Sequence, residues 1–331
     1  MPVPDKERWS GCLIGQCLGD AAGFPVEGRP PDDCRNYVAV ELRAVRDGTQ
    51  GAAQFGQYTD DSQLARELLI SYRDRGQFDP EDYARRIAAI FQENRIVGRG
   101  LATDEAARRL SAGVSWEEAG TPAPAAGNGS AMRAGPVGLL CHDDPEGLIR
   151  IAHDQGRITH RDPRCSAGSV AIAGAVALAL RPGPVDAGDW IEQLRAWAGE
   201  LDASFAEILG RLGDWLALPP EEAVTPISKC GVLEGWVDGW QGISPFVVGS
   251  VLWSLYSFLR SPDDYWETIG TAIAVGGDVD TTAAMAGAIS GARLGLAQLP
   301  EGPAQGLTDQ GTWGYSELVE LAHECHALRH G

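Results

Sequence analysis

Two stretches of this chain are rich in small residues, Val170-Ala-Ile-Ala-Gly-Ala-Val-Ala-Leu-Ala-Leu180 and Ala283-Ala-Met-Ala-Gly-Ala-Ile-Ser-Gly-Ala292. Side chains this small let backbones approach closely, so each stretch suits a helix packed on all sides at the centre of a helical domain. The other periodic signals agree. Tyr83, Ile87, Ile90 and Phe91 recur at helical spacing, as do Leu64, Leu68 and Leu69, and Val247 to Leu259 is largely apolar over a helical length. Alternating strand patterns with hairpin turns are missing. The expected fold is all-α.

Two acidic clusters sit far apart on this frame: Thr59-Asp60-Asp61-Ser62, and Gly276-Gly277-Asp278-Val279-Asp280-Thr281-Thr282. Each packs carboxylates and hydroxyls at a helix entrance, and these are the oxygen ligands that hard cations such as Mg2+ and Mn2+ prefer. If the fold joins them, at least four carboxylates and two threonines converge. Such a concentration of negative charge calls for compensating cations, so a two-metal site is the natural reading. The ordinary alternative is helix capping, for which Asp, Ser and Thr are preferred. One cap needs one such residue, however, not three or four in succession. The second cluster also lacks the third acidic position, the following Gly and the distant Glu of a helix-loop-helix calcium loop.

At 331 residues the chain has room for one large domain or two ordinary ones. Breaks rich in Pro, Gly or acidic residues fall at Gly120 to Gly127, Arg181 to Gly188 and Leu218 to Pro226. None has the length or low complexity of an interdomain linker. If the clusters share one site, the two halves share one core, so residues 1–331 are expected to form a single compact domain of crossing helices around a dinuclear metal cleft. The net charge of −19 argues against binding to nucleic acid or to an anionic membrane surface. Seven scattered cysteines without CxxC spacing suggest reduced thiols and no zinc site, with Cys12 and Cys17 in the core. Met1 to Ser10 is too polar for a secretory signal, and Val170 to Leu180 is too short to span a bilayer. A soluble, cytoplasmic monomer is expected.

Taken in order, five motifs resemble the ADP-ribosylglycohydrolase family, which includes the dinitrogenase reductase-activating glycohydrolases and the ADP-ribosyl-acceptor hydrolases. They are Gly15-Gln-Cys-Leu-Gly-Asp20-Ala-Ala-Gly-Phe-Pro-Val-Glu27, Tyr58-Thr-Asp-Asp-Ser62, Gly127-Asn-Gly-Ser-Ala-Met-Arg133, Thr159-His-Arg-Asp162 and Gly276-Gly-Asp-Val-Asp-Thr281. The resemblance implies an all-α fold with two Mg2+ or Mn2+ ions in a central cleft, held by Thr59, Asp60, Asp61, Asp278, Asp280 and Thr281. It also implies cleavage of the glycosidic bond between ADP-ribose and its acceptor, an ADP-ribosylated protein (arginine or serine type) or a small ADP-ribose conjugate. The transition state of such a reaction resembles an oxocarbenium ion. Metals that hold the ribose hydroxyls would orient the sugar and activate water. Asp60, Asp61 and Asp280 are thus expected to serve catalysis as well as metal binding.

Glu27 corresponds to a family glutamate that works in acid–base chemistry beside the metals; read alone, it is a surface residue after a Pro-containing turn. Asp20 reads as structural, capping a helix or orienting a neighbour. Gly127, Asn128, Gly129 and Ser130 resemble the loop that receives the phosphates and ribose, since glycines let backbone N–H groups approach an anion. Read alone, Asn-Gly is simply a turn. Arg133 is expected to pair with phosphate or with an internal acid. His160 corresponds to a ligand-proximal histidine, whereas His142, His153, His323, His326 and His330 have no comparable context. Ala125 and Ala126 stand where many members place an aromatic, so Trp240 and Phe246 are the candidate adenine walls, with core packing as the alternative.

Two departures matter. Ser62 replaces the commoner threonine but keeps a hydroxyl. Some dinitrogenase reductase-type members carry an acid-Ile-Gly segment whose acid is a proposed base; the match here, Ile96-Val97-Gly98, has none, which leaves that duty to Glu27 or to a hydroxide held by the metals. Two further readings compete: a non-catalytic, crystallin-like relative that binds ADP-ribose, and a metal-dependent phosphohydrolase. Retention of all six ligands and Glu27 favours the glycohydrolase over the first. The products would separate it from the second.

Overall fold

The computed structural model describes residues 3–49, 55–232, 237 and 239–331. Its main helices are α1 (Lys6–Gly23), α2 (Asp60–Arg75), α3 (Pro80–Gln92), α4 (Leu101–Ser111), α5 (Pro145–Arg157), α6 (Pro163–Ala179), α7 (Val247–Arg260), α8 (Val279–Leu294) and α9 (Tyr315–His330), with shorter helices between them. Among the described residues β-pairing is limited to isolated bridges, so the fold is all-α. Local sequence explains many boundaries. Asp79, Asp144 and Asp162 cap α3, α5 and α6, each followed by a proline at the first helical position. Gly76 closes α2 in the left-handed conformation, at φ 70°.

The two small-residue stretches become α6 and α8, and both are buried along nearly their whole length. The closest contact is between α1 and α8. Gly11, Gly15, Gly19 and Gly23 recur every four residues of α1 and lie against Gly291, Gly287, Ala283 and Asp280 of α8. A methyl group on Gly15 would stand 2.4 Å from the Gly287 carbonyl oxygen, and one on Gly287 would stand 2.2 Å from that of Gly15. Only glycine permits backbones this close, and the Tyr265 hydroxyl adds a 2.6 Å hydrogen bond to the Gly15 carbonyl. The contact runs the length of both helices. At its far end Gly23 meets the backbone of Asp280, which brings the segment leading to Glu27 to the second acidic cluster.

One expected break is smaller than the sequence suggests: within Leu218 to Pro226, Pro220 opens a helix that continues through Pro226 to Lys229. The seven cysteines are free thiols, all buried except the half-buried Cys230. Among the described residues, no helix is long and apolar enough to cross a membrane.

Candidate active site

Helix α2 is capped by a residue from another helix. Thr59 occupies the N-cap position, but its side chain makes no capping bond. Asp20, fully buried near the end of α1, accepts the Thr59 N–H at 3.0 Å, the Ser62 N–H at 3.1 Å and the Thr59 hydroxyl at 2.9 Å. With the helix end satisfied from outside, Asp60 and Asp61 can face the cleft. Helix α8 starts in a similar way. Asp278 is its N-cap and makes no side-chain capping bond. Its carboxylate instead accepts a hydrogen bond from the Asn128 amide, which also donates to Ser250 at 3.0 Å. The preceding glycine, Gly277, has a φ of 93°, and a methyl there would lie 2.0 Å from the Ile243 carbonyl oxygen. The capping alternative therefore does not account for either cluster.

Asp60, Asp61, Asp278, Asp280, Thr281 and Glu27 line one cleft of about 490 Å3, together with Gly127, Asn128, Gly129 and His160. Ligand oxygens of Glu27, Asp278 and Asp280 lie within 4.8 Å of one another. Burial, and then repulsion among the neighbouring acids, pushes the Asp60, Asp61 and Asp280 carboxyls well above the ordinary range. Burial also raises Asp278 and the more exposed Glu27. Asp61 Oδ1 is buried with no hydrogen-bond partner. A set of oxygen donors with a buried orphan and mutually repelling charges fits a hard divalent cation. Glu27, expected from its motif to act in acid–base chemistry, is also part of the potential ligand group.

The Gly127 loop is held by backbone pairing to Pro245–Val247: the Asn128 N–H donates to the Pro245 carbonyl at 2.9 Å, and the Val247 N–H to that of Ala126 at 3.0 Å. Its glycines make room for His160. A methyl on Gly127 would come within 3.2 Å of His160 Nε2, and one on Gly129 within 2.7 Å of Cε1. Burial and the nearby Arg133 push the His160 imidazole down to about 3, so the ring is neutral at physiological pH. Thr159 Oγ1 lies 2.8 Å from His160 Nδ1 and accepts from Arg133 at 2.8 Å. The alternative acceptor for its proton, the Gly156 carbonyl, is 3.4 Å away. This network assigns the Thr159 proton to Nδ1, leaving an Nε2–H beside the glycine loop.

Two expected binding residues lie behind the cleft lining. Arg133 is fully buried: it donates to Gln155 and Thr159 and sits 5.8 Å from the Tyr83 ring, so it braces His160 from behind. Ser130 is also fully buried and donates to the Cys165 carbonyl at 3.1 Å. Sequence alone could not show which loop residues turn inward. Thr59 is likewise buried, its hydroxyl held between Asp20 and Asp61. Trp240, 37% exposed, stands between the cleft and an adjoining cavity of about 420 Å3 lined by Ala125, Ala126, Val237, Pro245 and Phe246. A larger groove of about 910 Å3, bordered by Trp266 and Val275, holds none of the expected site residues.

Carboxylates drawn from both ends of the chain meet in one ligand-sized cleft, and this donor set could hold a metal ion. The family profile described as ADP-ribosylglycohydrolase matches residues 1–331. The chain is 30% identical to ADP-ribosylhydrolase ARH3 of Bos taurus, over 97% of this chain and 93% of the relative. It is 24% identical to ADP-ribosyl-[dinitrogen reductase] glycohydrolase of Rhodospirillum rubrum, over 89% and 88%. A solved structure described as an ADP-ribosylglycohydrolase-related protein complex superposes with a TM-score of 0.70 at 25% identity, covering 98% of both chains. The chain belongs to the ADP-ribosylglycohydrolase family, and hydrolysis of ADP-ribose linkages is its activity.

Proposed function

We propose that the substrate is an ADP-ribosylated protein side chain, linked through arginine or serine, and that free ADP-ribose is the product. The observation that carries this reading is the convergence of Asp60 and Asp61 with Glu27, Asp278 and Asp280 on one cleft next to the Gly127 loop. One relative's name specifies a protein acceptor, dinitrogen reductase, which supports a protein substrate. Two divalent cations, Mg2+ or Mn2+, would be held by Asp60, Asp61, Asp278, Asp280 and Thr281, with Thr59 orienting Asp61. When bound they supply positive charge that orients the ribose hydroxyls and activates water.

The protein's own groups do the rest. Glu27 opens to solvent and is the group assigned to accept the proton of the attacking water. Neutral His160 offers a hydrogen bond without adding charge. Asn128 fixes the Asp278 carboxylate through its side-chain amide. Phe246 and Trp240 border the cavity next to the loop, which suits the adenine.

The test is product analysis by mass spectrometry with arginine- and serine-ADP-ribosylated peptides, in Mg2+, Mn2+ or EDTA. Free ADP-ribose should form from one linkage and vanish with EDTA and in Asp60→Ala and Asp280→Ala. AMP as product would replace this reading with pyrophosphate cleavage. Tight ADP-ribose binding with neither peptide cleaved would mean another acceptor or a binding protein.

A further inference from the structure

Asp60 is held from two sides by the loop that follows α3. Its own N–H donates to the Val97 carbonyl at 2.7 Å, and its carboxylate lies against Gly98. The loop packs so tightly that a methyl on Gly98 would stand 2.6 Å from Asp60 Oδ1. What holds the loop is Gln63, one turn further along α2 and fully buried. Gln63 Oε1 accepts the Val97 N–H at 2.9 Å, while Nε2 donates to the Arg95 carbonyl at 3.0 Å and to Asp309 Oδ1 at 2.7 Å. Only this orientation works, because turning the amide over would set nitrogen against the Val97 N–H and oxygen against two acceptors. Asp309 comes from a turn near the C-terminus, and its other oxygen takes a 2.7 Å bond from buried Arg66.

We propose that Gln63, backed by Asp309, is a positioning residue that fixes Asp60 in the orientation a divalent cation requires. Partners of this kind set the geometry of metal-binding carboxylates, and their loss weakens affinity by about 10–100-fold. The proposal rests on the reading of Asp60 as a ligand.

The probe is Mn2+ alone, with its dissociation constant measured by electron paramagnetic resonance on the full chain. Gln63→Met keeps the side chain's length without its hydrogen bonds and should weaken Mn2+ binding by about 10–100-fold. Leu68→Ala, a core truncation on the same helix, controls for lost stability and should leave the constant within about twofold of wild type by the additivity of separate sites. Gln63→Glu should weaken binding too, and adding Asp309→Asn, which restores a donor opposite the new carboxylate, should recover most of the loss. Wild-type affinity in Gln63→Met, equal losses in Leu68→Ala, or no rescue in the double variant would overturn the proposal. Unchanged Mn2+ affinity in Asp60→Asn would instead remove Asp60 from the ligand set, and the proposal with it.

Discussion

Asp20 and Asn128 decide what their neighbours are free to do. By capping α2 from outside, Asp20 removes the need for Asp60 or Asp61 to do so, and Asn128 orients Asp278 at the start of α8. Asp82 shows the contrasting use of a carboxylate. Burial opposes its charge, but hydrogen bonds from Arg86, Arg75 and Ser71 outweigh that and hold it down at about 2. An unfolded aspartate titrates near about 3.9, so the folded state binds its proton less readily. The contribution of Asp82 to stability is therefore present above pH ~4 and is lost as pH falls from about 4 to 2. Urea midpoints of wild type and Asp82→Asn should differ most at pH 6 and converge toward pH 3. A gap that stays constant with pH would mean that packing, not charge, sets the difference.

At the scale of the elements, the α1–α8 contact joins stability to function. A β-carbon at position 15 cannot be absorbed by a rotamer change, because the atom it meets is backbone oxygen. Gly15→Ala should force the two helices apart, cost about 1–3 kcal/mol in urea unfolding, and weaken Mn2+ binding, since α8 carries Asp280. Stability lost with Mn2+ affinity intact would show that the separation does not reach the site. This contact also marks a limit of the sequence. The acidic clusters were legible because their chemistry resides in the residue types, and the small-residue stretch of α8 identified itself as a packed helix. The four-residue glycine spacing of α1 was there to be read, yet its meaning depends on a partner more than 250 residues away. The burial of Arg133 and Ser130 was hidden for a related reason: their motif marks a loop, whereas tertiary packing decides which of its side chains turn inward. Gln63 and Asp309 carry no motif, and only the hydrogen bonds linking α2, the Val97 loop and the C-terminal turn make them visible.

For the whole molecule, the cleft concentrates negative charge in a chain that already carries −19. Without cations the buried acids repel one another, and their raised proton affinities mean that ionising them at neutral pH opposes folding. Function and stability should therefore separate cleanly at Asp280. Its repulsion comes from Asp61, Asp278, Glu27 and Asp20, and an asparagine oxygen can still accept the Thr281 N–H that Asp280 holds at 2.9 Å. Asp280→Asn should raise the melting temperature of the EDTA-treated protein by about 1.5 °C, the shift expected for ~1 kcal/mol in a chain of this length. Wild type, by contrast, should gain about 4 °C when Mn2+ is added to about 100 times its dissociation constant, and the variant should gain almost nothing. Differential scanning calorimetry with and without Mn2+ reads both effects. A variant less stable than wild type in EDTA would mean that the acids are already relieved by protonation; equal gains with Mn2+ would remove Asp280 from the ligand set. The expected crossing, with the variant more stable when empty and less stable when loaded, is what a site built from mutually repelling carboxylates requires.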